Sequence, residues 1–190
     1  MRALVLLLTL PCAALAEEPV PADSTVHRHL GFFFRADIGV GYLSSSTGGA
    51  PQLATSGVSV PLGLAVGGAI AEDWILAGEI WGGFAPKAVN GVSQTLFVYG
   101  YSLAVVHYFM PANVYLSFAP GITRLSFETG NVSTSTDWGP GAKLAVGKEW
   151  WVGAHWGLGV AAEFFLTVNK DGGASRTTIA PGLTFTATYN

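Results

Sequence analysis

His27 and His29 stand one residue apart, which is the nearest approach to a metal-ligand spacing in this sequence. A metal site needs three or four converging donors, and two histidines in a polar lead-in supply too few, so no metal is expected. His107 and His155 are the other two histidines. Either would serve as a general base only with a nucleophile and an orienting acid in reach, and no Ser or Asp stands at a telling spacing to them. GxxxxGK[ST], HExxH, CxxC and GxSxG are all absent, so phosphate cradling, zinc catalysis and a serine elbow find no support. No catalytic residue and no cofactor is expected, and interfacial anchoring is the role assigned to both later histidines.

The charged side chains are a different matter. Arg35, Asp37, Glu79, Lys143 and Glu163 each fall near the middle of an apolar segment, where a charge must pair or be expelled. Their positions make sense once the alternation around them is read. In Phe32 to Tyr42 (FFFRADIGVGY), Phe32, Phe34, Ala36, Ile38, Val40 and Tyr42 share one parity, while Arg35, Asp37, Gly39 and Gly41 share the other. A strand sends successive side chains to opposite faces, so the segment has one apolar face and one charged and small.

The same pattern recurs in later segments, predicting strands at about 31–43, 56–69, 74–84, 95–109, 114–127, 138–149, 155–168 and 176–189. Long polar connections (44–55, 85–94, 128–137, 169–175) alternate with tight ones (70–73, 110–113, 150–154). Eight strands with long loops at one end and short turns at the other describe an antiparallel up-and-down β-barrel that crosses a membrane. The openings Asp73-Trp74-Ile75-Leu76 and Asn113-Val114-Tyr115-Leu116 repeat one hairpin unit. Asn131-Val132-Ser133, a glycosylation sequon, agrees only with a surface loop.

Composition supports a lipid solvent. Only 11% of residues are charged and mean hydropathy is +0.44, whereas a soluble domain carries roughly 25% charged residues. The helical alternative fails on length, because Leu96 to Met110 is the most apolar stretch free of charge and a membrane helix needs about 20 residues. A soluble lipocalin-like barrel would place apolar residues inside and charges outside, the reverse of this parity. Residues 1–16 read as a secretory leader with Arg2, an apolar run and Ala14-Leu15-Ala16, removed on export; residues 17–30 read as a periplasmic lead-in, and 31–190 as the barrel. Cys12, the single cysteine, lies in the leader, so disulfides and thiol chemistry are not expected. Without Arg2 the chain has 8 basic and 12 acidic side chains and a net charge of −4, no footprint for nucleic acid.

The charges then belong to the lumen, where Arg35, Asp37, Glu79, Lys143 and Glu163 are expected to form an ion-pair network. The rest of the inward set is small: Gly39, Gly41, Gly63, Ala65, Ser102, Ala104, Ser117, Ala119, Gly121, Gly157, Gly159, Ala161 and Gly182. Such residues either leave a wet cavity or serve strand curvature and close packing, of which curvature is preferred. Two aromatic girdles are expected at the bilayer boundaries: Trp74, Tyr108, Phe109, Trp150, Trp151 and Trp156 near the turns, and Tyr42, Phe84, Phe97, Tyr99, Phe127 and Trp138 near the loops.

With leader, strand count, girdles and lumen charges taken together, residues 31 to 190 resemble the small eight-stranded outer-membrane barrels of the OmpA/OmpX and OmpW type. The resemblance implies the outer membrane of a Gram-negative bacterium, both termini periplasmic, with outer-membrane lipid and lipopolysaccharide and the outer-membrane assembly machinery as partners. The alternating last strand, ending at Tyr189, is what that machinery reads; a partner for the surface loops stays unidentified. Three functions are open on the sequence: a structural or surface-interaction barrel, a narrow channel or carrier for small solutes, apolar ones included, and a lipid-acting enzyme. The first is favoured by the lack of a catalytic set, while the small inward residues speak for the second.

Overall fold

The computed structural model describes residues 27–48, 54–86 and 94–190. Among these described residues nine strands follow one another: β1 (Phe32–Thr47), β2 (Ala54–Ala71), β3 (Trp74–Pro86), β4 (Gln94–Phe109), β5 (Val114–Thr129), β6 (Val132–Ser135), β7 (Gly139–Trp151), β8 (Trp156–Asp171) and β9 (Ala174–Tyr189). Each of the eight long strands pairs antiparallel with its neighbours, and β1 pairs with β9 through Ile38↔Phe185 and its flanking residues, which closes the barrel. Closure pairs every long strand on both sides around the barrel, and the short β6 adds a polar ribbon to the top of β5 (Ser126↔Ser135). Among the described residues, no helix is long and apolar enough to cross a membrane.

Parity decides the faces. On β8 the outward residues Trp156, Leu158, Val160, Ala162, Phe164, Leu166 and Val168 are all apolar, and their inward alternates are buried. At ~3.3 Å per residue and a tilt of about 40°, that run rises roughly 30 Å, the thickness of a bilayer core. Phe185 is 72% exposed and Lys143 1%, an inversion of the soluble pattern that only a lipid-like surrounding rewards.

The connections differ from the sequence expectation in three places. β1 and β2 run to Thr47 and from Ala54, so much of the predicted first loop is strand. The segment 128–137 contains β6 instead of open loop. Residues 169–175 are not a long loop: β8 reaches Asp171, and Gly172 and Gly173, with φ of 57° and 89°, make the turn alone. A type I′ two-residue hairpin needs both central residues left-handed, which the glycine pair supplies without steric cost.

Candidate functional site: a filled lumen

The lumen is built in layers, and the middle one is charged. Lys143 on β7 donates from Nζ to Glu79 Oε1 at 2.8 Å and Asp37 Oδ2 at 3.3 Å, and forms an ion pair with Glu163 Oε1 at 3.0 Å. All four side chains are buried. They come from β1, β3, β7 and β8, so only ring closure brings them together. The neighbouring strand makes room: a Cβ on Gly63, which pairs with Asp37, would lie 2.5 Å from Asp37 Oδ2.

Arg35 does not join this layer. It sits one step toward the turn end, where its Nη2 donates to Ser117 Oγ at 3.5 Å and its guanidinium lies 4.6 Å from the Tyr115 ring centroid and 5.7 Å from that of Phe33. Among the described residues it forms no ion pair. Beside it is a carboxylate that the sequence reading overlooked. Glu149, buried, accepts hydrogen bonds from Thr188 Oγ1 (2.6 Å), Tyr108 Oη (3.3 Å) and Thr186 Oγ1 (3.5 Å). Glu149 shares the parity of Lys143, which is the signal that would have found it.

Toward the loops the filling is apolar. Trp81 and Phe165 meet with ring centroids 4.6 Å apart, packed among Leu43, Leu96, Val98, Leu125 and Phe127. Trp81 Nε1 donates to Ser102 Oγ at 3.1 Å. Above them Arg176 lies 4.8 Å from the Phe127 ring centroid and pairs with Asp171 Oδ2 at 2.9 Å. Two further inward glycines make room for large side chains. A Cβ on Gly100 would come 2.9 Å from Trp81 Cζ2, and one on Gly147 2.5 Å from the Tyr115 ring. Gly39 and Gly121 serve close strand approach instead, since a Cβ there would lie 2.6 Å from Thr184 Cα and 2.7 Å from Ser102 Cα. A recess of about 970 Å³ exists on the outer wall, lined by Ile38, Val40, Val160, Leu183 and Phe185 among others.

Nine of the expected girdle residues do point outward: Tyr42, Trp74, Phe84, Phe97, Tyr99, Phe109, Trp138, Trp150 and Trp156. Tyr108 and Trp151 do not, and neither does Phe127. Tyr108 shares its parity with Ala104 and Val106 and is buried in the lumen. Trp151 shares that of Glu149 and faces the lumen's lower mouth. Closeness to a turn gives height along the barrel, whereas only parity gives the face.

That mouth is closed by the lead-in. His29 is fully buried, and its ring stacks on Tyr108 with centroids 3.4 Å apart. Its Nε2–H donates to Asn113 Oδ1 at 2.8 Å, and its backbone N–H donates to Asp73 Oδ1 at 3.1 Å. His27 stacks on Trp151 at 4.7 Å, and Arg28 pairs with Glu72. Among the described residues, Asp73 and Asn113 are the two non-glycine positions with positive φ (61° and 51°), a conformation Asp and Asn tolerate best. The β2–β3 and β4–β5 turns thus each present a polar side chain to the strap. The rest of the lead-in, 17–26, and the leader, 1–16, lie outside the described residues.

His29→Ala is therefore expected to free the strap while leaving the barrel folded. Losing a stacked ring and a buried hydrogen bond costs about 1–2 kcal/mol, so trypsin should cut after Arg28 roughly ten times faster. Unchanged cleavage would mean that the strap is held elsewhere.

The remaining histidines meet backbone oxygens. His107 Nδ1 lies 3.3 Å from the Asp73 carbonyl with its ring stacked on Trp74, and His155 Nδ1 lies 2.8 Å from Asn190 O. Neither contacts a hydroxyl nucleophile, and among the described residues no group of three metal-ligating side chains gathers.

A closed eight-strand antiparallel barrel with an apolar outer belt and a packed, charge-bearing lumen has the fold of the small outer-membrane β-barrels. Neisserial surface protein A has it, with a TM-score of 0.60 at 16% identity, covering 84% of this chain and 96% of that one. OprG from Pseudomonas aeruginosa aligns with a TM-score of 0.47 at 13% identity over 87% of this chain and 99% of its own. Ail of Yersinia pestis, solved with the heparin analogue sucrose octasulfate, aligns with a TM-score of 0.46 at 13% identity over 83% and 99%. No protein-family model and no curated protein matches the chain. At these identities the likeness concerns the fold.

Proposed function

We propose that this protein is an outer-membrane barrel of a Gram-negative bacterium with a closed lumen, both termini on the periplasmic side, and a structural or surface-interaction role carried by its loop end. The observation that carries this reading is the packing of the lumen from strap to loops: His29 and Tyr108, then Arg35 and Tyr115, then Lys143 with its carboxylates, then Trp81 and Phe165. Eight strands enclose an interior just wide enough for side chains to fill. That filling leaves the channel reading without its main support, the small inward residues. The backbone-bound histidines likewise favour a non-enzymatic role. Outer-membrane lipid and lipopolysaccharide surround the apolar belt in this reading, and the assembly machinery inserts it.

Orientation is tested with single cysteines in the cysteine-free strand region. Ser133→Cys on β6 is expected to react with a membrane-impermeant maleimide on intact cells, and Gly153→Cys in the β7–β8 turn only after the outer membrane is permeabilised. The opposite pattern would overturn the reading.

A further inference from the structure

The outward belt ends in cations at one place. On β5 the outward run Leu116, Phe118, Pro120, Ile122 is followed by Arg124, and on β8 the run ending in Val168 is followed by Lys170. Trp138 lies between them. Thr123 pairs with Gly139, which sets Trp138 beside Arg124, and Asp137 N–H donates to the Lys170 carbonyl at 2.8 Å. Tyr99, paired with Arg124, extends the row onto β4.

This row is organised. Arg124 Nε–H donates to the Thr136 carbonyl at 2.9 Å, and its guanidinium lies 5.9 Å from the Trp138 ring centroid. Trp138 in turn meets Tyr99 edge-on at 5.6 Å and Tyr101 at 5.8 Å. Among the described residues neither Arg124 nor Lys170 forms an ion pair. Two strand spacings separate the cations by about 10 Å, within the joint reach of their side chains around a single phosphate. In a chain whose acidic residues outnumber its basic ones, two unpaired cations flanking an indole at the top of the apolar belt are matched to an anion at the bilayer boundary.

We infer that Arg124, Trp138 and Lys170 form a binding site for the phosphorylated headgroup of a lipid in the leaflet at the loop end. The inference rests on the proposed outward orientation of the loops and adds the ligand that the rim holds. Arg124 takes the phosphate by fixed paired donors, Lys170 supplies a mobile second charge, and Trp138 packs on the sugar or acyl shoulder below it.

The test is calorimetric titration of the folded full barrel in uncharged detergent micelles with diphosphoryl lipid A, its dephosphorylated form, and inorganic phosphate. The diphosphoryl lipid is expected to bind, with affinity falling about tenfold for Arg124→Ala and again for Lys170→Ala. Lys148→Ala, at the opposite end and over Trp150, should bind like the parent. Equal binding of the dephosphorylated lipid, unchanged affinity in the double variant, or displacement by inorganic phosphate alone would each overturn the site. Heat-modifiable migration of every variant confirms that the barrel is intact. Binding in micelles does not depend on orientation, so a failed titration sinks this inference alone, and a reversed cysteine pattern sinks the orientation alone.

Discussion

Lys143→Ala is expected to cost the barrel about 3–5 kcal/mol of stability, because removing one partner from a buried ion cluster leaves its counter-charges uncompensated. Here three carboxylates depend on one ammonium: Asp37, Glu79 and Glu163 all lie within 3.3 Å of Nζ. Their side chains are at most 2% exposed, so water cannot take over. The rescue is specific. Lys143→Met combined with Asp37→Asn, Glu79→Gln and Glu163→Gln removes the charges together, and an apolar or neutral replacement of a buried cluster is often close to neutral. Urea unfolding in bilayers, followed by tryptophan fluorescence, reads both variants. A loss under ~1 kcal/mol for Lys143→Ala would show the layer to be solvated, and the lumen would then be wet.

Trp81→Ala should be about as damaging, at about 3–5 kcal/mol, since it removes a buried indole and leaves a cavity that strands cannot collapse to fill. It also strips Ser102 Oγ of its donor. The geometry makes a further demand that a generic cavity would not. Gly100→Ala is expected to destabilise the parent, where the new methyl would sit 2.9 Å from Trp81 Cζ2, and to be nearly neutral or favourable beside Trp81→Ala. The double-mutant cycle should therefore show a coupling of about 1–3 kcal/mol. Additive costs would separate Gly100 from Trp81 and remove the packing explanation of that glycine.

These two sites also show what was legible in the sequence. Period-two alternation gave each strand's faces, and the alternation of connections gave the strand number; both depend only on neighbours along the chain. Convergence of Asp37, Glu79 and Glu163 on the Lys143 ammonium requires ring closure, and no pattern within a strand shows it. The pairing of Gly100 with Trp81, or Gly147 with Tyr115, depends on register between strands. For that reason the small inward residues left a wet cavity open beside the preferred reading of strand curvature and close packing. Tyr108 and Trp151 were misplaced although their parity was readable, because a cluster of aromatics beside a turn resembles a girdle on either face. Asn169 to Ser175 read as a loop because it is polar, yet Asn169, Asp171 and Arg176 are polar above the belt, and Gly172-Gly173 needs no further residues to turn. The burial of His29 was beyond sequence reading. It depends on Asp73 and Asn113, turn residues forty positions apart, meeting at one mouth.

The closed lumen is the central claim, and ion flow tests it most directly. Planar lipid bilayers containing the purified barrel should show no steady conductance for the parent protein. Protein that is folded, heat-modifiable and inserted yet conducts with regular, ohmic steps altered by Glu79→Ala would contradict the account, because it would place water and ions where Lys143, Trp81 and Phe165 are packed.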